Sequence, residues 1–209
     1  MKTRIFNLII LDASGSMYAI KTAAIKSFNE TVQTIRSAQA KHPDQEHFIT
    51  LVAFNSDEIK TIYECVDVSG IKELTDSEYE PNCGTPLYDA MGTSIAKLKK
   101  KVAEDDQVLV TIITDGEENC SQEYNGKAIK SLVDKMKAQG WVFTYMGANQ
   151  DVEKVAATIS ITNVLNFEAT SKGTRNMMKS ENTRRTRMYD RIAEGTFDAE
   201  SENSNYFKD

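Results

Sequence analysis

Proline, glycine and cysteine are scarce in this chain of 209 residues, and it has no long apolar run. Three prolines and ten glycines exclude a collagenous or low-complexity chain. The three cysteines, Cys65, Cys83 and Cys120, are odd in number and form no Cys-x-x-Cys pair. The sequence therefore carries neither a disulfide framework nor a zinc ribbon, and reduced thiols in the cytoplasm are the expectation. No segment approaches the ~20 apolar residues that a bilayer crossing requires. The apolar start, Ile5 to Leu11, contains Asn7 and stops at Asp12, so it reads as a buried strand rather than as a secretory signal.

Positive charge is also in short supply. The net charge is −6, made of −7 over residues 1–170, +4 over 171–195 and −3 over 196–209. An acidic body argues against binding to a phosphate backbone, which needs clustered Lys and Arg. Only 172–191, with Arg184, Arg185, Arg187 and Arg191, keeps a nucleic-acid reading open. The division expected is a folded domain over 1–170, a basic segment over 171–195, and an acidic, disordered tail over 196–209.

What is present is an alternation of strands and helices. Residues 4–11 and 107–114 are apolar almost throughout, as in central parallel strands covered on both faces. Ile20, Ala24, Phe28, Val32 and Ile35 recur at three and four residues, and so do Leu87, Met91, Ile95, Leu98 and Val102, which gives two amphipathic helices. Thr85-Pro86 reads as the start of the second, with Thr85 as N-cap. Strands at 47–54 and 58–68 are joined by three residues, too few for anything but an antiparallel hairpin. A helix over about 122–138, a strand at 141–146, a short helix near Val152 and a strand at 163–167 follow. The fold class is α/β: a doubly wound, mostly parallel six-stranded sheet with one antiparallel edge strand and helices on both faces.

Asp12-Ala13-Ser14-Gly15-Ser16, Gly84-Thr85-Pro86 and Thr114-Asp115-Gly116 fall at strand ends or at the start of a helix facing them, where open α/β sheets bind ligands. If the strands ending at Asp12 and Asp115 are neighbours, two carboxylates meet in a partly buried place, and a cation or a proton relieves them. With Ser14, Ser16 and Thr85 the donors are all oxygen, which suits a hard cation such as magnesium and disfavours zinc.

These three segments, in this order, resemble the metal-ion-dependent adhesion site of the von Willebrand factor type A domain family, over about residues 3–168. The resemblance implies a Rossmann-like sheet with an antiparallel edge. It implies a magnesium, manganese or calcium ion held by Asp12, Ser14, Ser16, Thr85 and Asp115, and a protein partner that offers an Asp or Glu to the ion. It implies binding without catalysis; the acidic body argues against nucleic acid as partner, and the lack of a long apolar run against a membrane. Integrin members carry further acids after the second Ser for an adjacent ion. Met17-Tyr18-Ala19-Ile20 provide none here. Residues 172–193 stand where the last, mobile helix of those members lies, but with a poor apolar stripe.

Plainer readings compete with each feature. Asp12 and Ser14 serve as helix caps elsewhere, Asp115-Gly116 as a turn, and Glu117 and Glu118 as a solvated acidic rim. Asp89 sits where a helix dipole favours negative charge. His42 and His47 lack metalloprotease spacing. The closest enzymatic alternative is a metal-dependent phosphohydrolase with Asp12 as nucleophile, but the second acid of that pattern is Ser14 here, and no general base is evident.

Overall fold

Burial on both faces makes β1 (Thr3–Asp12) the centre of the sheet. Its odd-numbered residues Ile5, Ile9 and Leu11 join one apolar core and its even-numbered Phe6, Leu8 and Ile10 the other, as the period of two in a strand requires. The computed structural model of the chain describes residues 2–148 and 151–208. Met1 and Asp209, the outer ends of the expected 1–170 and 196–209 segments, lie outside the described residues, as do Asn149 and Gln150.

In chain order β1 is followed by a 3-10 turn (Gly15–Ile20), α1 (Lys21–Lys41), β2 (Gln45–Phe54) and β3 (Ile59–Asp67). Next come α2 (Leu87–Lys99), β4 (Gln107–Thr114), α3 (Gly126–Lys137), β5 (Val142–Gly147), α4 (Val152–Thr158) and β6 (Val164–Asn166). Two helices, α5 (Ser171–Ala193) and α6 (Ala199–Asn205), complete the chain. The sheet order is β3-β2-β1-β4-β5-β6, all parallel except the hairpin partner β3 at one edge. The expected six-stranded α/β architecture is what the chain adopts. Helices α1 and α5 cover the odd face of β1, and α2, α3 and α4 cover the other. Strand order reverses between β1 and β4, and this switch point opens the crevice used by ligands in such sheets.

The C-terminal fifth corrects two expectations. Residues 196–208 are not disordered: Asp198 caps α6 by accepting from Ser201 N at 2.8 Å, and Tyr206 is buried. Asn203 bonds Trp141 O and Phe143 N, and Arg191 pairs with Glu202 at 2.6 Å. Acids that read as a solvated tail are a cap and an ion-pair partner. Helix α5 does have a buried stripe: Met177, Met178, Met188 and Tyr189, with Glu181 and Arg185 inside it. The two charges hide the stripe from an apolar count. Arg185 is therefore not part of a solvated basic face.

Candidate functional site

Strand pairing brings the two acids together. Leu11 of β1 lies opposite Ile113 of β4, so Asp12 and Asp115 leave neighbouring parallel strands at the same end. Asp12 is fully buried. One of its carboxylate oxygens accepts from Ser14 N at 2.7 Å and the other from Thr114 Oγ1 at 2.6 Å.

The hydroxyls complete the cluster. Ser16 Oγ donates to Asp115 Oδ1 at 2.6 Å and lies 3.1 Å from Ser14 Oγ. A Cβ built on Gly116 would stand 3.4 Å from Thr85 Oγ1 and 3.6 Å from Ser16 Oγ, so Thr85 reaches the same spot across that glycine. All five expected residues converge. Thr85 does not cap α2, however. Pro86 takes the N-cap position without a side-chain bond, and Thr85 N donates instead to Asn119 Oδ1 at 2.9 Å.

Neighbouring loops hold these groups. Tyr79, fully buried, donates its hydroxyl to Asp12 O at 2.5 Å. Asn82 N bonds Ala13 O at 2.8 Å and Gly15 N bonds Cys83 O at 3.0 Å, which ties the 79–84 loop to the Asp12–Ser16 turn. A Cβ on Gly84 would stand 2.9 Å from Asn119 Oδ1 and 3.0 Å from Cys120 Sγ, so a side chain there would displace the Asn119 amide that Thr85 N bonds. Glu118 is no solvated rim: it accepts from Tyr88 N, Cys120 N and Ser121 N, capping α2 from another loop. Asp89 accepts from Gln122 N, Glu123 N and Tyr124 N and so organises the 116–125 segment, which is why α3 starts at Gly126 rather than near 122.

Burial pushes the Asp12 carboxyl up from 3.8 to about 6, against the donors Thr114 and Ser14 that favour its ionised form, and Asp115 adds to the rise by repulsion. Burial lifts Asp115 too, opposed by the Ser16 hydroxyl. Asp12 is held by neutral donors rather than by a cationic side chain. Two buried acids with converging hydroxyls are the donor chemistry of a hard divalent cation, so these residues fit the ion that the motif implies.

Thr114 and Tyr79 escape sequence reasoning. Thr114 has a signal, since it precedes Asp115 and strand pairing sets it beside Asp12; Tyr79 has none, standing 67 residues away. As for the alternatives, Asp12 lies fully buried with both oxygens engaged, a poor arrangement for a nucleophile. His47 is buried against Gln45 and Tyr189, and His42 pairs with Asp190, both at the N-terminal end of β2 and so at the opposite end of the sheet from the site.

No curated protein sequence matches the chain. Solved structures share its fold. Proximal thread matrix protein 1 from the mussel byssus aligns with a TM-score of 0.62 and 16% identity over 87% of this chain and 46% of that one. The PilB minor pilin of Streptococcus sanguinis gives 0.65 and 10% over 89% and 62%, and the manganese-loaded TRAP protein of Plasmodium vivax 0.51 and 13% over 80% and 69%. The chain thus spans about half the length of the byssus protein it matches. Among the described residues no helix is long and apolar enough to cross a membrane. The von Willebrand factor type A domain matches residues 8–187, from within β1 through most of α5, and the chain belongs to that family of protein-interaction modules, which are often metal-dependent.

Proposed function

We propose that the chain is a divalent-cation-dependent binding module that captures an Asp or Glu side chain of a partner protein. The carrying observation is the convergence of Asp12, Ser14, Ser16 and Asp115, with Ser16 Oγ 2.6 Å from Asp115 Oδ1, around a place where burial disfavours both carboxylates. Asp12 and Asp115 would balance a divalent charge, and Ser14, Ser16 and Thr85 would add ligands without neutralising it further. When bound, a magnesium-type cation supplies positive charge and a coordination position for an external carboxylate. Thr114 and Ser14 N orient Asp12, and Tyr79 and Asn82 hold the turn that carries the serines. The manganese-loaded TRAP neighbour supports a metal of this hardness. The reading includes no catalytic step, a cytoplasmic setting in keeping with three free thiols, and α5 as the module's last helix.

Calorimetric titration of manganese or magnesium into the wild type, Asp12→Ala and Asp115→Ala tests it. Binding in the wild type that weakens at least ~100-fold in either variant is the expected result. Equal affinity in all three proteins would refute the site.

A further inference from the structure

Among the described residues Tyr18 is the only large hydrophobic side chain that stands exposed, 73% accessible. It lies two residues beyond Ser16, in the 3-10 turn Gly15–Ile20, so at ~2 Å of rise per residue its backbone stands within ~4 Å, along the turn's axis, of a residue of the candidate metal centre. The turn is rigidly seated. Met17 and Ile20 are buried, Met17 N bonds Ser14 O at 3.1 Å, and Lys21 N closes onto Tyr18 O. Lys21 Nζ is turned to Asp76, 3.0 Å from its carbonyl and 3.4 Å from its carboxylate. An exposed aromatic on a backbone held this close to a candidate binding centre is of the residue type that dominates interface energetics.

Carboxylates flank the same turn on two sides. An open depression of about 290 Å³ begins at Ala13 and is lined by Asp57, Glu58, Glu78 and Glu80, with Lys60 as its cation. Its wall is tied to the turn through Gly15 N to Cys83 O and Cys83 Sγ to Asp57 Oδ2, at 3.0 and 3.1 Å. On the other side exposed Glu117 follows Gly116, which abuts Ser16 Oγ. A segment bringing only negative charge to this rim is repelled by it, whereas one that brings a cation beside its acid is attracted. An aromatic face attracts that cation as well.

We propose that Tyr18 is a second contact of the site, a cation–π platform for an Arg or Lys that the partner carries beside its metal-seeking acid. The inference rests on the metal-dependent reading above and sharpens it: the segment selected is zwitterionic rather than purely acidic.

Four synthetic glycine-rich peptides, each with one Asp and, two positions on, Arg, Phe, Ala or Glu, are titrated in magnesium against the full chain and followed by peptide NMR shifts. Manganese uptake is measured separately by calorimetry. The Arg peptide is expected to bind tightest and the Glu peptide weakest, roughly tenfold apart at low salt, with the spread shrinking at high salt. Tyr18→Ala weakens the Arg peptide about two- to fivefold, Tyr18→Phe preserves it, and manganese affinity is the same in all three proteins. A wild type that takes up no manganese overturns both readings. Manganese uptake with no preference for Arg, or with a preference that survives Tyr18→Ala, overturns this one alone.

Discussion

Glu181 and Asp12 are both fully buried carboxylates packed on the same sheet, yet their surroundings treat the charge in opposite ways. Glu181, on α5, faces the guanidinium of Arg185 at 2.6 and 3.1 Å. The remaining guanidinium hydrogens go to Asn7 of β1, Thr111 of β4 and the Tyr189 hydroxyl, so all five Arg donors are used. Burial opposes the charge on Arg185, but Glu181 more than offsets it and holds the guanidinium ionised. Asp12, at the end of β1, has only neutral donors among the described residues and a second acid beside it. One region is electrostatically closed within the chain. In the other the Asp12 carboxylate meets no cationic donor among the described residues, and it lies at the sheet's switch point. The difference separates a charge that the fold itself satisfies from one that it leaves for the proposed cation.

The largest effect comes from opening the closed region. Arg185→Leu strands the Glu181 carboxylate among Met and Tyr side chains, and stability falls by about 3–5 kcal/mol. Urea unfolding measures it. The double variant Arg185→Leu/Glu181→Leu recovers most of the loss, because removing both charges removes the desolvation as well. A single variant within ~1 kcal/mol of wild type would mean that the pair is not what satisfies this charge.

At the strand end the opposite sign is expected. The displacement of Asp12 from 3.8 to about 6 corresponds to roughly 3 kcal/mol against its ionised form in the metal-free fold. Asp12→Asn in chelator at pH 7.5 therefore melts higher than wild type, by up to that free energy, while the rise in Tm that magnesium gives the wild type disappears. If the Asn variant melts lower in chelator, the site supplies its own compensation and the comparison fails.

Much of this contrast was legible from residues alone, but only on one side. Buried parallel strands are continuous apolar runs, so β4 stands at the expected 107–114 and β1 and β2 each extend theirs by two residues in all. The short spacing of Asp12, Ser14 and Ser16 is likewise a local pattern. The Arg185 network is not local: its partners Asn7 and Thr111 stand 178 and 74 residues away. Charged side chains also count as surface in any apolar periodicity, so α5 looked weak because its stripe is completed by an ion pair. The same reason hid α6, where Asp198 and Glu202 are anchored. Thr-Pro signals a helix start and so makes Thr85 look like a cap, whereas Glu118 and Ser121 from another loop take the first free amides of α2.

His47 sharpens the comparison through pH. It lies on the closed side, edge-on to Tyr189 at 4.5 Å, and burial first, then the positive charge of Arg185, pushes its imidazole down from 6.5 to about 3. As pH falls below 6.5 the unfolded chain takes up a proton that the fold refuses, so stability present above that value is lost progressively down to about 3. Between pH 7.5 and 5 this group removes about 2 kcal/mol. Asp12 works the other way: its raised value means that the metal-free fold binds the proton more readily than the unfolded chain, adding about 1 kcal/mol over the same interval. Urea unfolding in chelator at the two pH values therefore separates the groups by comparison with wild type: the change in stability from pH 7.5 to 5 is more favourable in His47→Gln, by about 2 kcal/mol, and less favourable in Asp12→Asn, by about 1 kcal/mol. Because each variant is compared with itself across pH, a packing penalty from the substitution cancels. Identical pH dependence in all three proteins would mean that neither buried group carries the proton balance assigned to it.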